Sequence, residues 1–317
     1  MHTPVPRAVT AVPPDRPWYF RFWSGMLLSA WLRIILRNRL RITPARIPMC
    51  LLTILFGCIN SLLGCIQHIV YGRRIANAAT PDDPVFIIGH WRSGTTLLHE
   101  LFALDARMTC PDTYACFAPA HFLVSRRWLA PLLTRCIPGR PTDTMRTGWD
   151  RPQEDEFALC NLGLPSPYLS MIFPNHPPAF PAYHDLATVP PPARDAWFAT
   201  LTKFFRAVVL QRPGRLVVKS PLHTFRVRLL LEHFPRARFV YITRNPYEVF
   251  ASTMALWQRL FRDQALQRPR YAGLEEHVLA TFEAMAARLT ADRAVVPPGQ
   301  FCTTRYEDLL RDPAAEM

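Results

Sequence analysis

The chain has 317 residues, half of them hydrophobic, which is enough apolar side chain for one large α/β domain or two small ones. Lys and Arg total 37 against 24 Asp and Glu, so the net charge of +13 points to an anionic nucleotide or membrane surface. Nucleic acid is set aside, because no basic run interleaved with base-stacking aromatics accompanies a nucleic-acid module. A zinc site is set aside too, because the eight cysteines form no C-x-x-C and no His pair has ligand spacing.

Residues 1–17 carry five prolines and little periodicity, which predicts a flexible tail without the apolar run of a secretory signal. Residues 18–80 read as one aromatic/basic and hydrophobic helical segment, membrane-associated in one reading. From Trp18 to Ile42, Trp18, Tyr19, Phe20, Phe22, Trp23 and Trp31 alternate with Arg21, Arg33, Arg37, Arg39 and Arg41. Such a mixture suits a helix in a membrane interface, and equally a surface helix with its aromatic side on the core. Ile47 to Ile66 carries no charge over a length that would span a bilayer. However, Thr53, Gly57, Asn60, Ser61, Gly64, Gln67 and His68 share one helical stripe, which favours a membrane-associated or domain-docked helix over a span.

Residues 81–317 form the second unit. Val85-Phe86-Ile87-Ile88 predicts a buried strand, closed by Gly89, and Leu97, Leu98, Leu101 and Phe102 predict a helix after Gly94. Strand, glycine-bounded loop and helix make an anion site of backbone N–H groups. The spacing Gly89-x4-Gly94 is that of a P-loop, but Thr95-Thr96 stand where its Lys-Ser/Thr belongs, with Arg92 before them. Tyr114 to Leu133 reads as helical, interrupted by Pro119 and Pro131. Glu154-Asp155-Glu156 then open a helix, either to complement its dipole or to present a base. Residues 163–200, with nine prolines, read as a loop that shapes a substrate pocket.

Leu216 to Lys219 and Ala237 to Thr243 predict two further strands, each followed by a helix, and Phe301 to Thr304 a fourth. Strands alternating with helices imply a parallel α/β sheet flanked by helices, with ligands at the strands' carboxyl ends. Arg92, Lys219, His223 and Arg244 all lie there.

Taken in order, the loop, Lys219-Ser220-Pro221-Leu222-His223, the Phe234-Pro235 strand approach and the Arg244/Ser252 pair resemble the sulfotransferases over roughly residues 84–313. The likeness is to the broad branch that includes bacterial enzymes and the tyrosylprotein sulfotransferases. It implies a P-loop-kinase-like fold that uses 3′-phosphoadenosine 5′-phosphosulfate (PAPS) as co-substrate, with no metal. By this resemblance Arg92, Ser93, Gly94, Thr95 and Thr96 cradle the 5′-phosphosulfate, Arg244 and Ser252 grip the 3′-phosphate, and Tyr306 adds a nucleotide contact. Lys219 steadies the transferring sulfonate. Three groups compete for the role of base: His223, placed first because it leaves the same strand end as Lys219, then Glu154 and Asp112.

The family continues beyond the position of Met317 with a segment that closes over the nucleotide. A shortened domain, a complementing partner or reduced activity is therefore expected. The expected activity is sulfonate transfer to a hydroxyl of unidentified type, a lipid or carbohydrate alcohol, in a cytoplasmic protein peripheral to or anchored in the inner face of a membrane. The alternatives are a related nucleotide-dependent kinase and an inactive nucleotide-binding membrane module.

Overall fold

The computed structural model describes residues 21–134 and 148–317. The tail expected over residues 1–17, and Trp18 to Phe20, lie outside the described residues. In chain order the elements are α1 (Leu28–Arg37), α2 (Ile47–Asn77), β1 (Val85–Ile88), α3 (Thr95–Leu104), β2 (Met108–Thr109), α4 (Thr113–Phe117) and α5 (Phe122–Leu133). Then come α6 (Asp155–Asn161), α7 (Pro191–Gln211), β3 (Arg215–Lys219), α8 (Val227–His233), β4 (Arg238–Thr243), α9 (Pro246–Gln264), α10 (Leu274–Arg293), β5 (Phe301–Arg305) and α11 (Tyr306–Arg311). Short 3-10 turns at Phe22–Gly25, Pro167–Met171 and Pro221–Phe225 join them.

The sheet is parallel, in the order β2-β3-β1-β4-β5. β1 is central because both its faces are apolar: Phe86 and Ile88 pack with Phe204 and Phe205 of α7, while Val85 and Ile87 pack with Leu98 of α3 and Leu309 of α11. A strand buried on both faces must read as a continuous hydrophobic run, as this one does. The register sets Lys219 beside Ile87 and Tyr241 beside Ile88, so the loops after β1, β3 and β4 emerge together.

Two predicted stretches differ. The loop expected over 163–200 ends at Pro191, where a proline in the first turn starts α7; its fixed φ suits helix initiation, and its missing N–H costs nothing there. The helical stretch over 114–133 is interrupted around Pro119 as expected, giving α4 and α5, but the second expected interruption is missing, because Pro131 lies inside α5.

The N-terminal hairpin belongs to the same body. Phe22, Trp23 and Trp31 are buried, and the two indoles stack at 4.9 Å. They share an apolar cluster with Trp91, Tyr168 and Trp257. Of the two readings of the aromatic stretch, the core-facing one describes these residues. In α2 the stripe of Thr53, Gly57, Asn60 and Gln67 faces inward and is buried. A Cβ on Gly57 would stand 3.0 Å from the Leu28 Cα, so the close approach of α1 to α2 needs glycine.

His121 ties α2 to α5. One ring nitrogen bonds Ser125 Oγ at 2.7 Å and the other Asn60 Oδ1 at 3.1 Å. Burial lowers its pKa from 6.5 to about 4. The unfolded chain therefore takes up a proton that the folded one refuses, so this stabilisation is complete above the unfolded pKa and is lost as pH falls toward 4. Stability at pH 5 should be lower than at pH 7 by about 2 kcal/mol from this group alone. Urea melts at the two pH values measure it, and His121→Gln should flatten the slope in that window.

Candidate active site

The loop after β1 is held by its own backbone and by the neighbouring turn. Gly89, Arg92 and Gly94 have φ values of 149°, 69° and 106°. A Cβ on Gly94 would lie 2.3 Å from the Tyr306 Cδ2, so only glycine fits beneath that ring. Arg92 is a non-glycine residue in left-handed backbone, a conformation that surrounding structure must impose. The Gly89 N–H donates to Thr224 Oγ1 at 2.9 Å, and the Ser93 hydroxyl donates to the His90 carbonyl at 2.8 Å. Ser93 and Thr95 are buried, while Thr96 and Arg92 are half-buried. No side chain caps the N-terminus of α3, whose first-turn N–H groups follow the loop.

Arg244, Ser252 and Tyr306 converge on this loop. Arg92 Nε donates to Ser252 Oγ at 2.8 Å, and an Arg244 terminal nitrogen donates to the Arg92 carbonyl at 3.2 Å. The Arg244 guanidinium lies 4.3 Å over the Tyr306 ring and pairs at 2.7 Å with Glu248. Two arginines, a hydroxyl and a phenol thus meet at the ends of β1, β4 and β5. The counter-charge, Glu248, is an exposed carboxylate that an incoming anion can replace.

A second group stands where β3 ends against the start of α6. The three consecutive carboxylates each take one basic partner from the end of β3 and the connection to α8. Glu154 pairs with Lys219 at 2.6 Å, Asp155 with His223 at 2.8 Å, and Glu156 with Arg226 at 2.7 Å. The last two pairs are fully buried, while Glu154 keeps 14% of its side chain exposed. His223, expected to face the acceptor, is instead turned into the core against Asp155 and Phe86. Its place in the Pro221–Phe225 3-10 turn, four residues after Lys219, points it inward. Asp112 caps α4 through the Ala115 N–H and binds Arg126, so its carboxylate serves structure.

The outer oxygen of Glu154 accepts from the Tyr168 hydroxyl at 2.6 Å, and that hydroxyl accepts from the Trp91 indole N–H at 2.9 Å. Burial, and then the Glu154 charge, push the Tyr168 pKa well up, so the phenol stays an O–H donor. Neither Tyr168 nor Trp91 carries a sequence signal: Trp91 is one aromatic inside the loop, and Tyr168 sits among prolines. Both line a narrow cleft, partly open to solvent, with His90, His184, Trp257, Phe261 and His277. Burial lowers the pKa of all three histidines, so the cleft is neutral and aromatic beside a cationic loop.

A family model described as the sulfotransferase family matches residues 84–317. The chain is 42% identical over 303 residues, 95% of its length and 78% of theirs, to the omega-hydroxy-beta-dihydromenaquinone-9 sulfotransferases Stf3 of Mycobacterium bovis and Mycobacterium tuberculosis. Among solved structures it resembles the sulfotransferase STF1 of Mycobacterium tuberculosis, with a TM-score of 0.66 and 22% identity over 91% of this chain and 79% of that one. STF9 of Mycobacterium avium gives 0.60 and 18% over 91% and 81%. These two likenesses concern the fold. With a family match over most of its length and a relative of this identity, the chain belongs to the sulfotransferases and is an enzyme of that family.

Proposed function

We propose that this enzyme transfers the sulfonate of PAPS to the hydroxyl of a long-chain lipid alcohol at a membrane surface, with Glu154 as the base. The observation that carries the reading is the Glu154 carboxylate, held at 2.6 Å by both Lys219 and Tyr168, the latter a wall residue of the neutral cleft that also bonds Trp91 of the loop. An acceptor hydroxyl reaching that junction loses its proton to Glu154 as its oxygen attacks sulfur. The bond from sulfur to the 5′-phosphate oxygen breaks, and adenosine 3′,5′-bisphosphate leaves. Lys219, the loop N–H groups and Arg92 to Thr96 face the charge that develops on the sulfonate and leaving oxygens, the kind of fixed electrostatics that lowers such barriers most. Arg244 and Ser252 hold the 3′-phosphate, and Tyr306 packs on the nucleotide side of the loop.

A lipid acceptor is favoured by the aromatic, neutral cleft and by the relatives named for a menaquinone derivative. A kinase reading is opposed by Thr95, which stands where the P-loop lysine would bind a γ-phosphate. An inactive binding module is opposed by the intact pairing of Glu154 with Lys219.

Isothermal titration with adenosine 3′,5′-bisphosphate and with ATP tests the donor. The bisphosphate should bind more tightly, and Arg244→Ala should weaken it by about 2–3 kcal/mol through loss of charge-assisted hydrogen bonds. Equal affinity in wild type and variant would remove Arg244 from the 3′-phosphate site, and preference for ATP would favour the kinase.

A further inference from the structure

Helix α2 carries its polar side inward and its apolar side outward. Asn60 donates to the Ser24 and Met26 carbonyls at 3.0 and 3.2 Å, and Gln67 Oε1 accepts the Leu123 N–H at 2.8 Å. On the opposite side Leu51, Leu55, Ile59, Leu62, Ile66 and Ile69 are exposed, Leu62 by 64% and Ile69 by 81%. Their spacings of four, four, three, four and three residues place them on one stripe, which at the helical rise is about 27 Å long. Soluble monomers rarely leave so large a contiguous apolar face to water.

The face does not belong to a membrane span. A helix with spanning length and composition covers Pro44 to Asn77, but its polar stripe is bonded to the catalytic body. Crossing a bilayer would strip those bonds from Asn60 and Gln67, a costly loss in hydrocarbon. Lying in the plane of the membrane keeps every one of them.

Charge selects the occupant. Between Arg21 and Pro81 there are eight arginines and no Asp or Glu. Arg39 and Arg41 are exposed just before α2, and Arg73 and Arg74 near its C-terminal end, so cations bracket the apolar stripe. A second copy of the chain would set these arginines against its own. An anionic leaflet meets both the apolar stripe and its cationic ends.

We propose that the outward face of α2 embeds in the plane of an anionic membrane leaflet, with the arginines at the headgroups. This specifies the surface in the proposed function and rests on that reading for its purpose. The apolar cluster that packs α1 and the first turn of α2 also holds Trp91, Tyr168 and Trp257, so the embedded hairpin and the cleft share a wall.

The test uses the full chain with vesicles of phosphatidylcholine alone or mixed with phosphatidylglycerol. Wild type should co-sediment with the mixed vesicles, and less so in high salt. The Leu55→Glu/Leu62→Glu variant should lose about tenfold or more of the bound fraction. Its melting curve and its affinity for adenosine 3′,5′-bisphosphate should stay at the wild-type value. Failure of wild type to bind, or equal binding by the variant, overturns the proposal. So does a wild-type dimer that the variant dissociates in the absence of any vesicle binding, which would give the face to a second copy. Vesicle binding that responds to the substitutions in a protein that ignores the bisphosphate supports the docking and removes the donor assignment instead.

Discussion

Replacing Glu154 by glutamine should lower kcat by about 10²–10⁴-fold, the usual contribution of a positioned base, and leave adenosine 3′,5′-bisphosphate affinity within a few-fold. The amide is nearly the same size. Its oxygen can still accept from Lys219 and its nitrogen donate to the Tyr168 hydroxyl oxygen, so the local packing survives while the proton acceptor is gone. A long-chain alcohol as acceptor and a radiolabelled donor are enough for the assay. The control is His223→Gln, which should reduce stability by weakening the buried contact with Asp155 and leave the turnover of the folded fraction near wild type. Near-normal turnover in Glu154→Gln together with collapse in folded His223→Gln would return the proton to the imidazole.

The largest loss of stability is expected at Arg226. Its guanidinium bonds Glu156 and the carbonyls of Tyr183 and His184, and lies 4.7 Å over the Trp197 ring. Both members of the ion pair are fully buried. Arg226→Met would leave the Glu156 carboxylate in the core with, among the described residues, only Ser166 to donate to it, and should cost about 3–5 kcal/mol in urea unfolding. Most of that cost is the uncompensated charge. Adding Glu156→Gln should therefore recover a large part of it, a coupling that a double-mutant cycle measures. Equal losses in the single and double variants would show that packing against Trp197 carries the effect.

The sheet and the phosphate-type loop were legible because their chemistry leaves little choice. A strand buried on both faces must be uniformly apolar, and a chain turning at φ 149° and 106° must carry Gly89 and Gly94. Arg92 and Arg244 could be placed near one another because each follows a strand end of a parallel sheet, whereas Ser252 and Tyr306 joined them only through the resemblance to the sulfotransferases. The choice among Glu154, His223 and Asp112 was not legible. Which way a side chain points after a strand depends on the turn that follows, and the Pro221–Phe225 turn aims His223 at the core. Tyr168 escaped notice because a tyrosine among prolines has no periodicity to place it. The aromatic stretch near Trp23 and Trp31 was ambiguous for a different reason: a membrane and a protein core ask for the same side chains.

The ordered pairing of residues 154 to 156 with Lys219, His223 and Arg226 bears on how acceptor preference diverges. The carboxylate proposed as the base, Glu154, is clamped by rigid elements, whereas much of the cleft wall comes from elsewhere: Tyr168 and Pro178 in the proline-rich segment, Phe261 on α9 and His277 on α10. Pro178, Phe261 and His277 can change size or polarity without touching the partners of Glu154. Under the proposed roles, chemistry and selectivity are separable inheritances in this chain: altering the wall would recruit a new acceptor while the two buried anchors keep Glu154 in register.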